Sequence, residues 1–386
     1  MSPATYDTAV IGAGVFGAWT AWHLRRAGQS VLLLDAWGPG HSRASSGGET
    51  RIIRMGYGAD EIYTRMSMRS MTLWQELFQQ TGQPLFHRTG VLWIARETDL
   101  QSGATRATLA REGIVHEIVA LDEIARRYPQ IRIELPDAYG IFEPGSGALM
   151  ARRAVAAVAD SAIRNGVEFA VAAVPSPAPE NIRSGIRAAG GREIHARNYV
   201  FACGAWLAKL FPRLLGTRIF PTRQEVFFFA PPAGDPQFSP ARLPVWFDYT
   251  DPRGPYGFPD LESRGFKLAF DRHGPAIDPD TLERRVTPEG LAEAYRYLSE
   301  RFPALRDAPL TESRVCQYEN TPTGDFLIDR HPDRENVWMV GGGSGHGFKH
   351  GPAVGEYVCD RILRGGAVDP RFSLASKLAT RQRTVY

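Results

Sequence analysis

The chain has 386 residues, 45 of them Lys or Arg and 42 Asp or Glu, for a net charge of +3, and 43% of it is hydrophobic. This composition excludes a disordered chain, a collagen and a disulfide-stapled miniprotein, and at roughly 150 residues per domain the length suits two to three units. No run of five like charges marks a nucleic-acid tract, so no nucleic-acid partner is expected.

The first 35 residues read as strand, helix, strand. Thr8 to Ile11 is a short apolar strand. From Val15 to Ala27 apolar residues recur at helical spacing, and Gly28 stops the helix. Val31 to Leu34 is continuously apolar and ends in Asp35, the pattern of a parallel strand buried on both faces. Gly38 to Gly48 reads as loop, and Glu61 to Gln80 as an amphipathic helix closed by Gly82. Strands follow at Gly90–Arg96 and His116–Leu121, a helix at Ala151–Arg164, a strand at Val167–Val174 and a turn-rich hairpin at Pro175–Glu180. Tyr199–Ala202, Arg223–Ala230, Val245–Tyr249 and Phe266–Phe270 read as strands, and Thr287 with Pro288 as a helix start. Val337 to Val340 is a buried strand that enters a glycine cluster, and Ala353 to Leu363 is a last helix.

Strand–helix segments and strand-rich segments thus alternate. The expected class is α/β (α+β), with a Rossmann-type domain (1–85, 146–218 and 316–386) interleaved with a mixed-sheet domain (86–145 and 219–315). The stretch MSPATYDTAVIGAG has no basic segment ahead of its apolar run, and no apolar run reaches the ~18 residues of a membrane span. With three cysteines and no CxxC spacing, neither a disulfide framework nor a zinc site is expected. A cytoplasmic protein, with no membrane partner, is the expectation.

Gly12-x-Gly14-x-x-Gly17 follows a strand, opens a helix and precedes a strand ending in Asp35. Gly12 permits the turn, Gly14 lets the backbone approach a pyrophosphate and Gly17 lets helix and sheet pack. The helix N-terminus, at Val15 and Phe16, supplies N–H donors, and Asp35 accepts from a ribose diol. The fingerprint does not choose between NAD and FAD. Gly341 to Gly347, with Lys349 just after, reads either as a bare surface for a flat ligand or as an ordinary turn. Cys316 and Tyr318 share one face of an extended segment, and a lone cysteine by default is an inert buried thiol.

Only Lys209, Lys267, Lys349 and Lys377 are lysines, which leaves 41 arginines among the 45 basic residues. Lys267 and Lys349 sit in marked motifs, where a compact, tunable charge has a use that arginine cannot meet. Lys209 and Lys377 read as chance. Lys267, Ala269, Asp271 and His273 share a strand face, either a polar site wall or a solvated face.

Several separated motifs together carry a resemblance. They are Gly12-x-Gly14-x-x-Gly17 with Asp35, Ser45-x-x-Gly48-Glu-Thr-Arg-Ile-Ile-Arg54, Cys203-Gly-Ala-Trp206, Tyr256-Gly-Phe-Pro259, Val315-Cys-Gln-Tyr318 with Asn320-Thr-Pro322, and Ser344-Gly-His-Gly-Phe-Lys349. The chain resembles the sarcosine oxidase and N-methyltryptophan oxidase family of D-amino-acid-oxidase-like FAD-dependent oxidoreductases.

The resemblance implies FAD held by Gly12, Gly14, Val15, Phe16, Gly17, Asp35, Ser45, Thr50, Arg51, Val174, Gly342, Gly345, Gly347 and Lys349, with a covalent thioether to Cys316. It implies that Arg54 and Lys349 bind the carboxylate of an amine substrate. It implies further that Lys267 promotes reaction with molecular oxygen and that Tyr256 and Tyr318 line the site. It also implies a monomer that releases hydrogen peroxide. Two positions depart from the pattern. Gly47 stands where the family has a histidine, which is expected to open the pocket. Asp271 stands where the family has a second histidine and adds an acceptor, so a substrate bulkier or more polar than sarcosine is expected. The alternatives are a flavin dehydrogenase passing electrons to a partner and a non-catalytic dinucleotide-binding protein.

Overall fold

The computed structural model describes residues 5–176, 182 and 185–378. A first sheet runs in the order Leu327–His331, Arg334–Gly341, Glu193–Phe201, Thr5–Ile11, Val31–Asp35, Glu168–Val171. Its last five strands are parallel, and Leu327–His331 is an antiparallel edge. The short strand Ile186–Arg187 pairs antiparallel with Glu193–Phe201. The two-residue period divides the side chains between two cores. Val10, Val31, Leu33, Val200 and Val340 face the helices Val15–Arg26, Ala151–Arg164 and Gly351–Arg364. Ala9, Ile11, Leu32, Leu34 and Phe201 face Leu207, Leu210 and Leu215 on the other side. This two-sided burial explains the unbroken apolar run of Val31 to Leu34.

Val15–Arg26 and Gly351–Arg364 approach so closely that a Cβ on Gly355 would lie 2.6 Å from the Trp19 backbone carbon. Trp19 packs edge-on against Trp22 and Trp74, each with centroids 5.0 Å away. Trp74 belongs to the long helix Glu61–Thr81, closed by Gly82 in the left-handed conformation.

The second sheet has the order Leu310–Asn320, Phe220–Phe229, Phe266–Phe270, Pro255–Phe258, Val245–Asp248, Val91–Arg96, Ala138–Glu143, Glu117–Ala120. Only the pair Val245–Asp248 with Val91–Arg96 is parallel. One face, with Phe227, Phe229, Trp246, Phe266 and Leu268, packs under the helix Pro288–Arg301, capped by Thr287 Oγ1 accepting from the Gly290 amide at 3.1 Å. The opposite face, with Val91, Trp93, Val245, Phe247 and Phe258, joins the core of the first sheet's helices. Lys267, between Phe266 and Leu268, therefore points toward the first sheet and is buried at 3% exposure. The strand Leu310–Asn320 runs across residue 316, where the sequence reading places a domain boundary.

A third, small sheet joins Arg51–Ile53, Gly147–Leu149 and Phe86–His87. It anchors the segment that carries Thr50, Arg51 and Arg54.

Several element expectations change. The strand expected at His116–Leu121 is Glu117–Ala120, and Leu121 opens a helix, Leu121–Arg127. The strand expected at Val167–Val174 is Glu168–Val171. The helix Leu100–Arg111 escapes the sequence reading because it buries Ser102, Thr105 and Thr108 with Leu109, so no hydrophobic stripe marks it. Of the hairpin expected at Pro175–Glu180, residues 177–180 lie outside the described residues. Lys377 is not an idle lysine. It is buried, and its Nζ donates to the Arg371 carbonyl at 2.6 Å.

Candidate active site

A cavity of about 370 Å³ runs along the carboxyl ends of the parallel strands, the usual ligand position of such sheets. Gly12, at φ +103°, makes the turn after Thr5–Ile11; a Cβ there would fall 2.3 Å from the Ala202 carbonyl oxygen. Gly17 packs against this turn, where a Cβ would lie 1.8 Å from the Gly12 oxygen. It does not line the cavity; Gly12, Gly14, Val15 and Phe16 do. A Cβ on Gly14 would meet only Ser46 Oγ within 4 Å, so this side of the turn lies open to a ligand. The Val15 amide donates to Ser46 Oγ at 3.1 Å. Asp35 Oδ2 accepts from the Ala13 amide at 2.8 Å, and Oδ1 accepts from the amides of Trp37 and Gly38. Val174 lines the far end. Ser45 Oγ is buried without a hydrogen-bond partner among the described residues, an orphan that a bound ligand would satisfy. Open glycine backbone, a helix N-terminus and this orphan hydroxyl fit a dinucleotide such as FAD.

Cys316, Tyr318, Arg51, Gly345 and Gly347 close the other end of the cavity. Arg51 Nη2 donates to the Ser45 carbonyl at 2.6 Å and lies 3.6 Å from Cys316 Sγ. A second cavity, of about 60 Å³, adjoins here; Arg51, Tyr318, Gly345 and Phe348 line both. Its other walls include Thr50, Arg54, Tyr256, Asp271 and Lys349. Strands of the second sheet thus bring their side chains to the end of the first sheet's cleft.

Arg54 is 3% exposed. Its guanidinium lies 4.1 Å from the Tyr57 ring centroid and 4.6 Å from that of Trp93, and it donates to the Gly56 carbonyl. Among the described residues it forms no ion pair with a carboxylate. Glu143 fixes the segment, accepting from the amides of Met55 and Gly56 and from Trp93 Nε1 at 2.7–3.0 Å. Lys349 Nζ donates to Tyr57 Oη at 2.8 Å and to the His346 carbonyl at 3.1 Å.

Asp271 Oδ1 accepts from Tyr318 Oη at 2.8 Å. Burial pushes the Asp271 carboxyl up to about 6, against the pull of Tyr318, Arg54 and Lys349. Burial also pushes the Tyr256 hydroxyl up to about 12. Lys267 lies just behind the second cavity. Its Nζ donates to Thr50 Oγ1 at 3.1 Å and to the Thr50 carbonyl at 3.2 Å, and sits 4.3 Å from the Phe258 centroid. Burial, helped by the Arg51 charge, holds Lys267 well below the usual lysine range.

Three expectations change at the site. The face carrying Lys267 is not solvated, and His273 leaves it: the strand ends at Phe270, and His273 is exposed beside Tyr318. Gly47 does not open the second cavity. It packs on the His41 backbone, where a Cβ would fall 2.0 Å from the carbonyl oxygen, and it lines neither cavity. Gly342 also lines neither; its amide donates to Glu319. The sequence reading missed Ser46, Tyr57, Glu143 and Glu319. Glu319 was readable as an acid one residue from Tyr318, whereas Tyr57 and Glu143 act only through the fold.

The model of a family described as FAD dependent oxidoreductase matches residues 7–361. Monomeric sarcosine oxidase of Streptomyces avermitilis is 33% identical, over 96% of this chain and 98% of its own length. N-methyl-L-tryptophan oxidase of Salmonella arizonae is 31% identical, over 93% and 95%. Among solved structures, L-proline dehydrogenase of P. horikoshii matches the fold with a TM-score of 0.84 at 23% identity, over 98% of this chain and all of that one. No helix among the described residues is long and apolar enough to cross a membrane. With its family model spanning nearly the whole chain and its glycine-lined cleft at the ends of the parallel strands, this enzyme belongs to the FAD-dependent oxidoreductases.

Proposed function

We propose that the protein oxidises a secondary amine of an amino-acid-like substrate with molecular oxygen, yielding an imine and hydrogen peroxide. The observation that carries this reading is Arg54: a buried guanidinium that forms no ion pair with a carboxylate among the described residues, in a cavity adjoining the one lined by Cys316. A buried charge is costly unless something pairs with it, and a substrate carboxylate does so. The relatives named for N-methyl amino acids support the same class.

FAD would be held along the cleft by Gly12, Gly14, Val15, Phe16, Asp35, Ser45, Arg51, Val174, Gly345 and Gly347, with Thr50 and Lys349 at the adjoining cavity, and the described residues of 1–85, of 146–218 and beyond the strand Leu310–Asn320 would form its domain. When bound, the flavin accepts a hydride equivalent from the carbon beside the amine nitrogen. Arg54 and Lys349 hold the carboxylate and orient that carbon. The amine must be neutral to give up the hydride, and the nitrogen proton then leaves the iminium. Water hydrolyses the imine to a carbonyl and a primary amine. Lys267 stands where two electrons from the bound flavin and two protons would convert dioxygen to hydrogen peroxide, and the negative charge developing there favours its ammonium form. Cys316 Sγ, with the Arg51 charge beside it, would hold the flavin as a thioether: the thiol proton and a hydrogen of the bonded flavin carbon leave, and the two electrons released pass to the flavin and on to dioxygen. Asp271 faces the cavity with one oxygen engaged by Tyr318, and the other takes a hydroxyl or ammonium of the substrate.

An amine panel tests this reading with an oxygen electrode and a peroxide assay. N-alkyl amino acids bearing a further hydroxyl or ammonium should exceed sarcosine in kcat/KM, with one peroxide per oxygen consumed. Dye reduction without oxygen uptake makes the protein a dehydrogenase. Sarcosine as the best substrate removes the role given to Asp271.

A further inference from the structure

Glu319 belongs to the strand Leu310–Asn320, three residues beyond Cys316. It is 7% exposed and lines the cofactor cleft. Its place there follows from its neighbours. Gly12 of the phosphate turn packs on Ala202 and Cys203, Gly204 comes next, and a Cβ on Gly204 would lie 3.1 Å from Glu319 Oε2. Glu319 thus sits between the phosphate-binding turn and Cys316. Gly341 is bare on the other side, where a Cβ would meet Oε1 at 2.6 Å.

The amides of Gly342 and Gly343 donate to Oε1, which fixes the side chain. Among the described residues no donor meets Oε2, and no Lys, Arg or His pairs with the carboxyl. A buried carboxyl with half its capacity unused, aimed into a ligand cleft, calls for a donor from the ligand. A phosphate cannot supply it, since the phosphate oxygens of FAD carry no proton to donate and the pyrophosphate belongs at the Gly12–Gly14 turn. A hydroxyl can, and the stretch of FAD between its pyrophosphate and its ring is a chain of hydroxyls.

We propose that Glu319 is a cofactor-binding residue whose Oε2 hydrogen-bonds a ribityl hydroxyl of FAD and whose carboxyl carries a proton while the pyrophosphate is bound. The proposal rests on FAD occupying the cleft. Burial already pushes this carboxyl up to about 7 against the two glycine amides, and nearby negative charge pushes further in the same direction. The titratable group that faces it is the Cys203 thiol, which burial, Asp35 and Glu319 together hold above the usual thiol range. Cys316 and Tyr318 lie on its own strand, and neither is a cation.

A crystal structure of the flavin-loaded protein, with infrared spectra of that holoenzyme and its Glu319→Gln variant, tests the proposal. A ribityl oxygen about 2.5–3.0 Å from Oε2 is expected. A protonated-carboxyl band at pH 7.5 that is lost in Glu319→Gln is also expected. Gln keeps the acceptor for Gly342 and Gly343, so the fold stands. Ribityl hydroxyls bonded elsewhere, or a wild-type spectrum without that band, overturn the proposal and leave the FAD reading intact. Pure protein without flavin overturns the FAD reading itself.

Discussion

The two ends of the cleft are made of different materials. The nucleotide end is mostly backbone: the Gly12–Gly14 turn, the amides at the start of Val15–Arg26 and the carboxyl ends of the parallel strands. The reacting end is side chain: Arg54, Lys349, Asp271, Tyr256 and Tyr318, drawn from segments more than 200 residues apart. A backbone site tolerates little change of shape but asks for no particular charge. A side-chain site tolerates changes of shape and depends on each charge. Substitutions at the first end should therefore change how much flavin is held, and those at the second should change rates while the flavin stays.

The largest effect should come from Lys267→Met, which removes the buried amine that donates to Thr50. Flavin reoxidation by oxygen should slow about a hundredfold to a thousandfold in stopped-flow traces, with much less change in flavin reduction. Equal slowing of both half-reactions would break the division of labour within the reacting end. Arg54→Met comes next. It should cost about 2–3 kcal/mol, roughly thirty- to a hundred-and-fifty-fold in kcat/KM for carboxylate-bearing amines, and little for the same amines without the carboxylate.

Gly14→Val sharpens the contrast from the other end. The protein has room for this side chain, since only Ser46 Oγ lies within 4 Å of a Cβ there, but the pyrophosphate does not. Flavin content should fall about tenfold, the equivalent of ~1.4 kcal/mol, while turnover per bound flavin and the melting temperature of the protein portion hold. Unchanged flavin content would contradict the placement of the phosphates.

Asp271→Asn gives the smallest effect, and its sign depends on pH. The carboxyl is held at about 6, above the ordinary carboxylate value, so the folded protein binds its proton more tightly than the unfolded chain. Its contribution to stability is present at low pH and fades as pH rises from about 4 through about 6. Thermal melts of substrate-free protein should show Asp271→Asn gaining on the wild type across that window. Wild-type kcat/KM should rise across the same window as the carboxyl ionises, and the variant should lose that limb.

The backbone end was the legible one. Gly12, Gly14, Gly17 and Asp35 are local in sequence, and their spacing alone describes a strand, a turn and a helix. The reacting end was legible only in pieces. Lysines are so scarce that Lys267 and Lys349 stood out, but no spacing relates Arg54 to Asp271, and their meeting depends on the second sheet docking on the first. The motif resemblance marked Gly47 as pocket-forming, whereas it packs on the backbone of His41, an arrangement no linear pattern records. Helix Leu100–Arg111 was missed for a similar reason, since its buried face is hydroxyl-bearing rather than apolar.

The account depends most on Cys316, which stands where the two ends meet and where the flavin ring would be fastened. Acid precipitation of the pure protein tests this directly, with Cys316→Ala beside it. The wild-type pellet should stay yellow and the variant should release its colour to the supernatant. Colour in the supernatant of the wild type would contradict the tether.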